Sequence, residues 1–179
     1  MIFREFDVMR TIKLLLTCAG GDTGPSLFNC LKNSDNFNYI LVGVDSVSAG
    51  KSVDILDAYH QVPNGSDSQY VYKLLEVALK ENVDFILPGS DEEALSIARN
   101  IVKFKDANVD VIASSINTLE LISNKLETYK VLSKNCLRIP EYTIANSAEE
   151  IKDSLSKYGY PQKTVISKDN NIKLISIHD

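Results

Sequence analysis

Apolar and polar positions follow a repeating order from residue 11 onward. Short, almost wholly apolar runs are each followed by a turn and then by a segment whose apolar residues recur every three or four positions. Such runs are typical of strands buried on both faces, and such segments are typical of amphipathic helices. Strands are predicted at 12–17, 39–44, 59–62, 83–87 and 109–113. This order predicts an α/β fold, a Rossmann-like doubly wound parallel sheet over residues 11–123.

Polar residues before the helical segments predict where these helices begin. Ser66 or Asp67 is expected to cap the helix that runs to Leu79, and Ser90 or Asp91 the helix that follows the fourth strand. Side-chain oxygens of these residue types accept hydrogen bonds from the free N–H groups of a first helical turn.

The pattern changes after residue 123. Residues 124–140 are predicted to form a linking helix, and residues 141–179 a smaller, incomplete α+β unit. In this unit Ser147 and Glu150 have the spacing of a capping box, and two β-rich runs flank Asp169-Asn170-Asn171 as a hairpin would. Residues 1–10 mix charged and large apolar side chains without a period and are predicted to be a leader.

Composition narrows the classes of protein. The chain has 179 residues and a net charge of −5, which argues against nucleic acid as a partner because phosphate binding needs clustered Lys and Arg. Charged residues interrupt the apolar run before Cys18, so a lipoprotein signal is disfavoured, and no run approaches the ~20 apolar residues that span a bilayer. Three separate cysteines and two histidines indicate neither a disulfide framework nor a metal site. We expect a reduced, cytoplasmic protein.

The first turn of the predicted domain is rich in glycine. Gly20, Gly21 and Gly24, with Thr23, stand between a buried strand and a helix start, where backbone N–H groups attract anions. Asp45 ends the second strand, where a dinucleotide-binding fold places the acid that takes a ribose hydroxyl. The spacing differs from G-x-G-x-x-G, and a tight turn without a ligand needs the same glycines. Both interpretations therefore stay open.

A second candidate loop follows the fourth strand. Gly89, Ser90, Asp91 and Glu92 come directly after it, and loops at the carboxyl ends of parallel strands meet in one crevice. The same residues are also what any helix favours in its first turn, and that reading is the stronger one for this loop taken alone. Cys18, beside the glycine loop, is expected to be a small buried core residue rather than an activated thiol.

Six segments, in order, resemble carbamoyl-phosphate-synthase-like ATP-grasp proteins: Leu14–Pro25, Val42–Ser46, Tyr59–Pro63, Asn82–Leu95, Ser123–Lys125 with Tyr129 and Leu132, and Tyr160–Lys168. The first of these is similar to the family's T-G-A-G-G-x-x-G-P opening, and Asn82–Leu95 is the closest match. Asn124 stands where the family's S-x-D-K helix has Asp. The resemblance implies a pre-ATP-grasp domain followed by the start of an ATP-grasp domain.

The resemblance also implies a function. Family members activate a carboxylate as an acyl phosphate with ATP and Mg²⁺, and an amine or related nucleophile then attacks it. Lys125 and Lys168 correspond to the two lysines that contact ATP phosphates, and the two candidate loops face the acceptor-substrate side. The implied partners are a small-molecule carboxylate and the remainder of the ATP-grasp domain. A homo-oligomer stays open.

The chain departs from the family pattern after Lys168. Asp169–Ile172 stands where the family has proline and a glycine-rich loop, and the family's metal-binding residues would lie beyond residue 179. We therefore expect the N-terminal portion of a ligase, inactive by itself and without tight ATP binding. Two alternatives are a stand-alone Rossmann-type nucleotide- or dinucleotide-binding module that uses Asp45, and a degenerate, non-catalytic regulatory or interaction protein.

Overall fold

The structure is a computed structural model that describes residues 10–22, 24–48, 53–158, 164–169 and 172–177. The predicted leader, apart from Arg10, and Thr23 lie outside the described residues. Two compact units divide between Ile116 and Asn117. The functional domain limits drawn from the sequence stay a prediction.

The first unit alternates strands and helices. Its five strands are β1 Thr11–Leu16, β2 Asn38–Asp45, β3 Ala58–Gln61, β4 Phe85–Leu87 and β5 Asp110–Val111. Its helices are α1 Gly24–Lys32, α2 Tyr70–Glu81, α3 Asp91–Arg99 and α4 Ile101–Asp106, with one 3₁₀ turn at Val53–Ile55. All five predicted strands are present, although β4 and β5 are shorter than predicted. β4 begins at Phe85 rather than at Val83, because the N–H of Val83 still donates to the carbonyl of Ala78 in the C-terminal cap of α2.

The five strands form one sheet in the order β3-β2-β1-β4-β5, and every pair is parallel. The chain moves outward from β1 through β2 to β3 and then returns through α2 to β4, on the other side of β1. The carboxyl ends of β1 and β4 are therefore neighbours at the point where the strand order reverses. The Rossmann-like α/β prediction is confirmed.

Apolar side chains cover both faces of the central strand. Leu15 packs on one face with Val42, Ile86 and side chains of α2 and α3, and Leu14 and Leu16 pack on the other face with Phe28 of α1. This alternation explains why β1 is almost wholly apolar, since a strand between two helical layers has no solvent face.

The helix starts agree with the sequence at α3 but not at α2. Ser90 is the N-cap of α3, and its hydroxyl accepts a hydrogen bond from the N–H of Glu93. The cap of α2 is Gln69, and neither Ser66 nor Asp67 caps it. Asp67 instead accepts the N–H of Gln69 at 2.7 Å, which forms a turn just ahead of the helix. The predicted cap of α2 was therefore wrong: a short turn separates Ser66 and Asp67 from the helix, which begins at Tyr70.

The second unit contains an antiparallel sheet. Its elements are α5 Ile116–Ser123, whose first residue belongs to the first unit, α6 Lys125–Lys134, β6 Tyr142–Ala145, α7 Ala148–Tyr158, β7 Thr164–Asp169 and β8 Ile172–Ile177. The strand order is β6-β8-β7, and β7 and β8 pair up to Asp169 opposite Ile172. Residues 170 and 171 of the predicted hairpin turn lie outside the described residues. The predicted capping box is present, since the Ser147 hydroxyl accepts the N–H of Glu150.

None of the helices that the structure describes combines the length and the apolar character needed to cross a bilayer.

Candidate functional site

The two candidate loops lie side by side at the carboxyl edge of the first sheet. The loop from Cys18 to Asp22 follows β1, and the turn from Pro88 to Ser90 follows β4. The N–H of Thr17 bonds to the carbonyl of Leu87 at 3.2 Å, which extends the β1–β4 pairing to the start of both loops. Open α/β sheets bind ligands in the crevice at such a reversal of strand order.

Gly89 brings the β4 turn into direct contact with the end of β1. A Cβ at Gly89 would lie 2.1 Å from the carbonyl oxygen of Thr17 and 3.0 Å from Cβ of Cys18. The Gly89 N–H also donates to Oγ1 of Thr17 at 3.0 Å. Only glycine fits this approach, because any side chain would push two backbones apart.

A buried carboxyl group lies beneath this contact. Oε2 of Glu93, in the first turn of α3, accepts hydrogen bonds from Oγ1 of Thr17 at 2.7 Å and from Oγ of Ser90 at 2.9 Å. Glu93 is 8% exposed and Thr17 is fully buried. Each hydroxyl also accepts a backbone N–H, from Gly89 and Glu93 respectively. The result is a closed network that joins β1, the β4 turn and α3.

Burial and hydrogen bonding act on the pKa of the Glu93 carboxyl in opposite directions. Burial raises the pKa of its carboxyl above the ordinary value, and the negative charge of Asp45 raises it further. Hydrogen bonds from Thr17, from Ser90 and from the N–H of Cys18 oppose this change, since they stabilise the charged form.

Tyr70 closes the cluster from α2. Its side chain is fully buried, and its hydroxyl lies near Thr17 and Glu93 but makes no hydrogen bond with the described residues. Burial raises the pKa of this phenol, and the charge of Glu93 raises it further. Tyr70 therefore remains a neutral hydroxyl at the floor of the site.

The glycine loop is held by Asp45. Oδ2 of Asp45 accepts the N–H of Gly20 at 2.8 Å, and Oδ1 accepts the N–H of Ser46 at 2.7 Å. The N–H of Gly21 bonds to the carbonyl of Cys18 at 3.1 Å. The structure thus brings Gly20 and Asp45 together. It also shows that both carboxylate oxygens already accept backbone donors, which gives Asp45 a structural role in the turn.

Cys18 is not the core residue that the sequence predicts. It is half-buried and has a φ of 52°, because the chain turns sharply directly after β1. Burial raises the pKa of its thiol, and the charges of Glu93 and Asp45 raise it further. A thiol in this environment stays protonated at neutral pH and is a poor nucleophile.

The remaining loop residues have simple placements. Gly24 is buried at the first position of α1, while Asp91 and Glu92 are exposed in the first turn of α3. Acidic side chains there face the positive end of the helix dipole. Their role in binding a substrate stays a prediction.

Lys125 and Lys168 belong to the second unit. Lys125 is the first residue of α6, after Asn124, whose side chain caps the helix by accepting the N–H of Glu127 at 3.0 Å. Lys168 lies in β7 in register with Lys173 of β8. Their contact with a nucleotide stays a prediction.

A metal has no ready place in the described part of the chain. No three His, Cys, Asp or Glu side chains converge there in a way that could hold an ion. A cavity of about 410 Å³ lies apart from the loops, beside β5, and none of the predicted site residues lines it.

Sequence reasoning missed Thr17, Tyr70 and Glu93. Ser90 and Glu93 have the spacing of a capping box, which predicts that Glu93 folds back on its own helix. The structure shows Glu93 bonded both to Ser90 at the start of this helix and to Thr17, 76 residues away in sequence. The one available signal was a threonine that directly follows an apolar strand and precedes a glycine loop.

Replacement of Gly89 by alanine tests the close approach of the two loops. We expect Gly89→Ala to lower the free energy of unfolding by about 3 kcal/mol, since the new Cβ meets a backbone carbonyl that cannot rotate away. Gly21→Ala is the matched control, because its nearest atoms lie at 3.2 and 3.3 Å, and we expect a loss of about 1 kcal/mol. Urea denaturation measures both. Equal losses would refute the steric argument.

The buried carboxyl should make stability depend on pH. A folded-state pKa above the unfolded one means that the folded chain binds more protons, so stability falls as pH rises from the unfolded pKa through the folded one. Glu93→Gln removes this titration. Relative to the unmodified protein, the free energy of unfolding of this variant should therefore increase as the pH rises above the ordinary glutamate pKa. Glu92→Gln, exposed in the same turn, is the control for formal charge. If the difference in free energy of unfolding between Glu93→Gln and the unmodified protein stays constant with pH, or changes in the opposite direction, the raised pKa of Glu93 is contradicted.

Known proteins resemble this chain in structure rather than in sequence. No protein-family model matches the sequence, and no curated protein matches it. Among solved structures, N5-carboxyaminoimidazole synthetase from Staphylococcus aureus is similar with a TM-score of 0.60 at 11% identity, over 95% of this chain and 47% of that one. L-amino acid ligase from Bacillus licheniformis gives 0.58 at 12% identity, over 94% and 40%.

The biotin carboxylase domain of Hydrogenobacter thermophilus 2-oxoglutarate carboxylase gives a TM-score of 0.53 at 16% identity, over 92% of this chain and 37% of that one. This chain thus spans less than half the length of each of these three proteins, all of which are ATP-grasp enzymes. The sequence resemblance is confirmed at the level of the fold: the chain has the fold of the N-terminal part of ATP-grasp enzymes.

Proposed function

We propose that this chain is the N-terminal portion of an ATP-dependent ligase, which as a whole protein joins a carboxylate to an amine or a related nucleophile through an acyl phosphate. One observation carries the proposal. Nearly all of this chain, 95% in one case and 94% in another, aligns with enzymes that include a synthetase and a ligase. Both units, rather than the Rossmann-like unit alone, take part in this alignment.

The first unit would supply the acceptor-substrate side of the site. Its two loops meet where the strand order reverses, and the exposed Asp91 and Glu92 border them. A small-molecule carboxylate is the proposed substrate. The dimeric carboxylase domain from Hydrogenobacter thermophilus holds MgADP and bicarbonate, which is a small oxyanion.

The second unit would contribute to the nucleotide side. When bound, ATP supplies the phosphoryl group that activates the carboxylate. Lys125 and Lys168 would place positive charge at its phosphates, a contact for which lysine is suited as a point charge. The magnesium ligands would come from residues other than those described, so we expect weak ATP binding by this chain. A cytoplasmic location fits such a metabolic enzyme, and so does a homo-oligomer.

One observation favours a second function, a Rossmann-type nucleotide- or dinucleotide-binding module. The glycine loop and Asp45 are adjacent at the carboxyl edge of the sheet, as such a module requires. The same hydrogen bonds weaken the idea, because a ribose hydroxyl would compete with Gly20 and Ser46 for the oxygens of Asp45.

A ligand titration followed by NMR separates the two functions. Acetate and glycine at millimolar concentration should shift the amide signals of Gly21, Gly89 and Ser90, and ATP with Mg²⁺ should shift those near Lys125 and Lys168 weakly. Lys125→Ala should abolish the ATP response, whereas Lys134→Ala, at the other end of the same helix, should keep it. NAD⁺ should leave Gly20 and Asp45 unchanged.

Two outcomes would contradict the ligase proposal. If NAD⁺ shifts Gly20 and Asp45 and Asp45→Asn removes the effect, the dinucleotide module is the correct function. If neither carboxylates nor ATP perturb any of the named amides, the predicted site residues do not form a ligase site. Micromolar ATP affinity that requires Lys125 and Lys168 would instead overturn the expectation of an incomplete nucleotide site.

A further inference from the structure

We propose that Glu93 is a positioning residue: its buried carboxyl group fixes the loop after β1 and the turn after β4 relative to each other, and so sets the shape of the candidate site. The proposal rests on the proposed function, in which these two loops face the acceptor substrate. Glu93 would act through Thr17 and Ser90 and would not touch the substrate itself.

The hydrogen-bond directions make Glu93 the common acceptor of the two loops. The Gly89 N–H donates to Thr17, and the hydroxyl of Thr17 then donates to Glu93 at 2.7 Å. From the other side, Ser90 donates to the same oxygen at 2.9 Å. One oxygen atom therefore links Thr17, the last residue before the glycine loop, to Ser90, the N-cap of α3. Without that acceptor, each hydroxyl would lose its only partner as a donor in the network.

A third segment holds the Glu93 side chain in place. Gly65, in the connection between β3 and α2, is buried so closely that a Cβ there would lie 2.9 Å from Cγ of Glu93. Tyr70 fills the space beside the carboxyl group. The side chain thus has packing around its stem and donors at its tip, which leaves it little freedom to adopt another rotamer.

Helix capping alone does not explain this placement. A capping-box glutamate returns to the start of its own helix and can stay solvated there. Glu93 is 8% exposed, and burial of a carboxyl group is unfavourable unless donors compensate for the lost water. The donors that compensate come from β1 and from the turn after β4. Glu93 therefore bonds to the start of its own helix at Ser90 and also, beyond what capping requires, to Thr17 at the end of β1.

The charged and titratable groups around Glu93 come from three other segments. Cys18 and Asp45 face it from the ends of β1 and β2, and Tyr70 faces it from α2. Thr17 carries no charge and accepts the N–H of Gly89, so its replacement leaves the charges near the carboxyl group unchanged. Thr17 is accordingly the best position for a test.

Amide hydrogen exchange on the whole 179-residue chain tests the proposal. In Thr17→Val, which keeps the shape and removes the hydroxyl, the amides of Gly89, Gly20 and Gly21 should exchange roughly tenfold faster. Amides of β2 at Leu41 and Val42 should change much less. Thr17→Ser restores the hydroxyl and should return the loop amides to the original rates. Ser90→Ala is the second variant, which removes the other donor at a half-buried position.

The outcomes distinguish positioning from general stability. Faster exchange confined to the loops, with rescue by serine, supports the proposal. Equal acceleration in the loops and in β2, or unchanged loop rates in both Thr17→Val and Ser90→Ala, would overturn it. Acetate titration of the same proteins keeps the two proposals apart. If the unmodified protein shows no response to acetate, the proposed function fails, while the exchange rates still decide the role of Glu93.

Discussion

The structure of the candidate site depends on how closely the ends of β1 and β4 approach each other. Gly89 lies against the carbonyl of Thr17 at a distance that excludes any Cβ, and the buried carboxyl of Glu93 binds the hydroxyls on both sides of that contact. Steric fit and hydrogen bonding thus act on the same two backbones. Since these strands are neighbours at the reversal of strand order, the contact decides where both loops begin.

The loops are largely satisfied internally. Asp45 binds the N–H of Gly20, Cys18 accepts the N–H of Gly21, and Thr17 accepts the N–H of Gly89. A carboxylate substrate would therefore meet loops whose N–H groups at Gly20, Gly21 and Gly89 are already hydrogen-bonded, rather than a set of free N–H donors. This arrangement is compatible with the proposed acceptor side of a ligase. It suits a dinucleotide site less well, because the ribose-binding acid is already engaged.

The fold could be predicted from the sequence to a large extent, and the site only in part. Leu14, Leu15 and Leu16 mark a doubly buried strand because apolar periodicity is a local property of the chain. The glycine-rich turn at Gly20 and the cap at Ser90 could be predicted because turns and caps have local signatures, and Asp45 could be selected because it ends the second strand. The tie between Thr17 and Glu93 spans 76 residues and has no local signature. The local bond from Ser90 to Glu93 lies within one helix start, whereas the bond from Thr17 depends on tertiary packing, to which Gly65 and Tyr70 contribute.

The most direct test of this account is a double-mutant cycle between Thr17 and Glu93, measured by urea denaturation of Thr17→Val, Glu93→Met and the double variant. Thr17→Val leaves the Glu93 carboxyl without one of its donors, and Glu93→Met leaves the Thr17 hydroxyl without its acceptor. In the double variant both of these unpaired groups are gone. We therefore predict that the double variant loses less stability than the sum of the single losses, by about 1–3 kcal/mol. Additivity within about 0.5 kcal/mol would contradict the claim that this hydrogen bond joins the two loops.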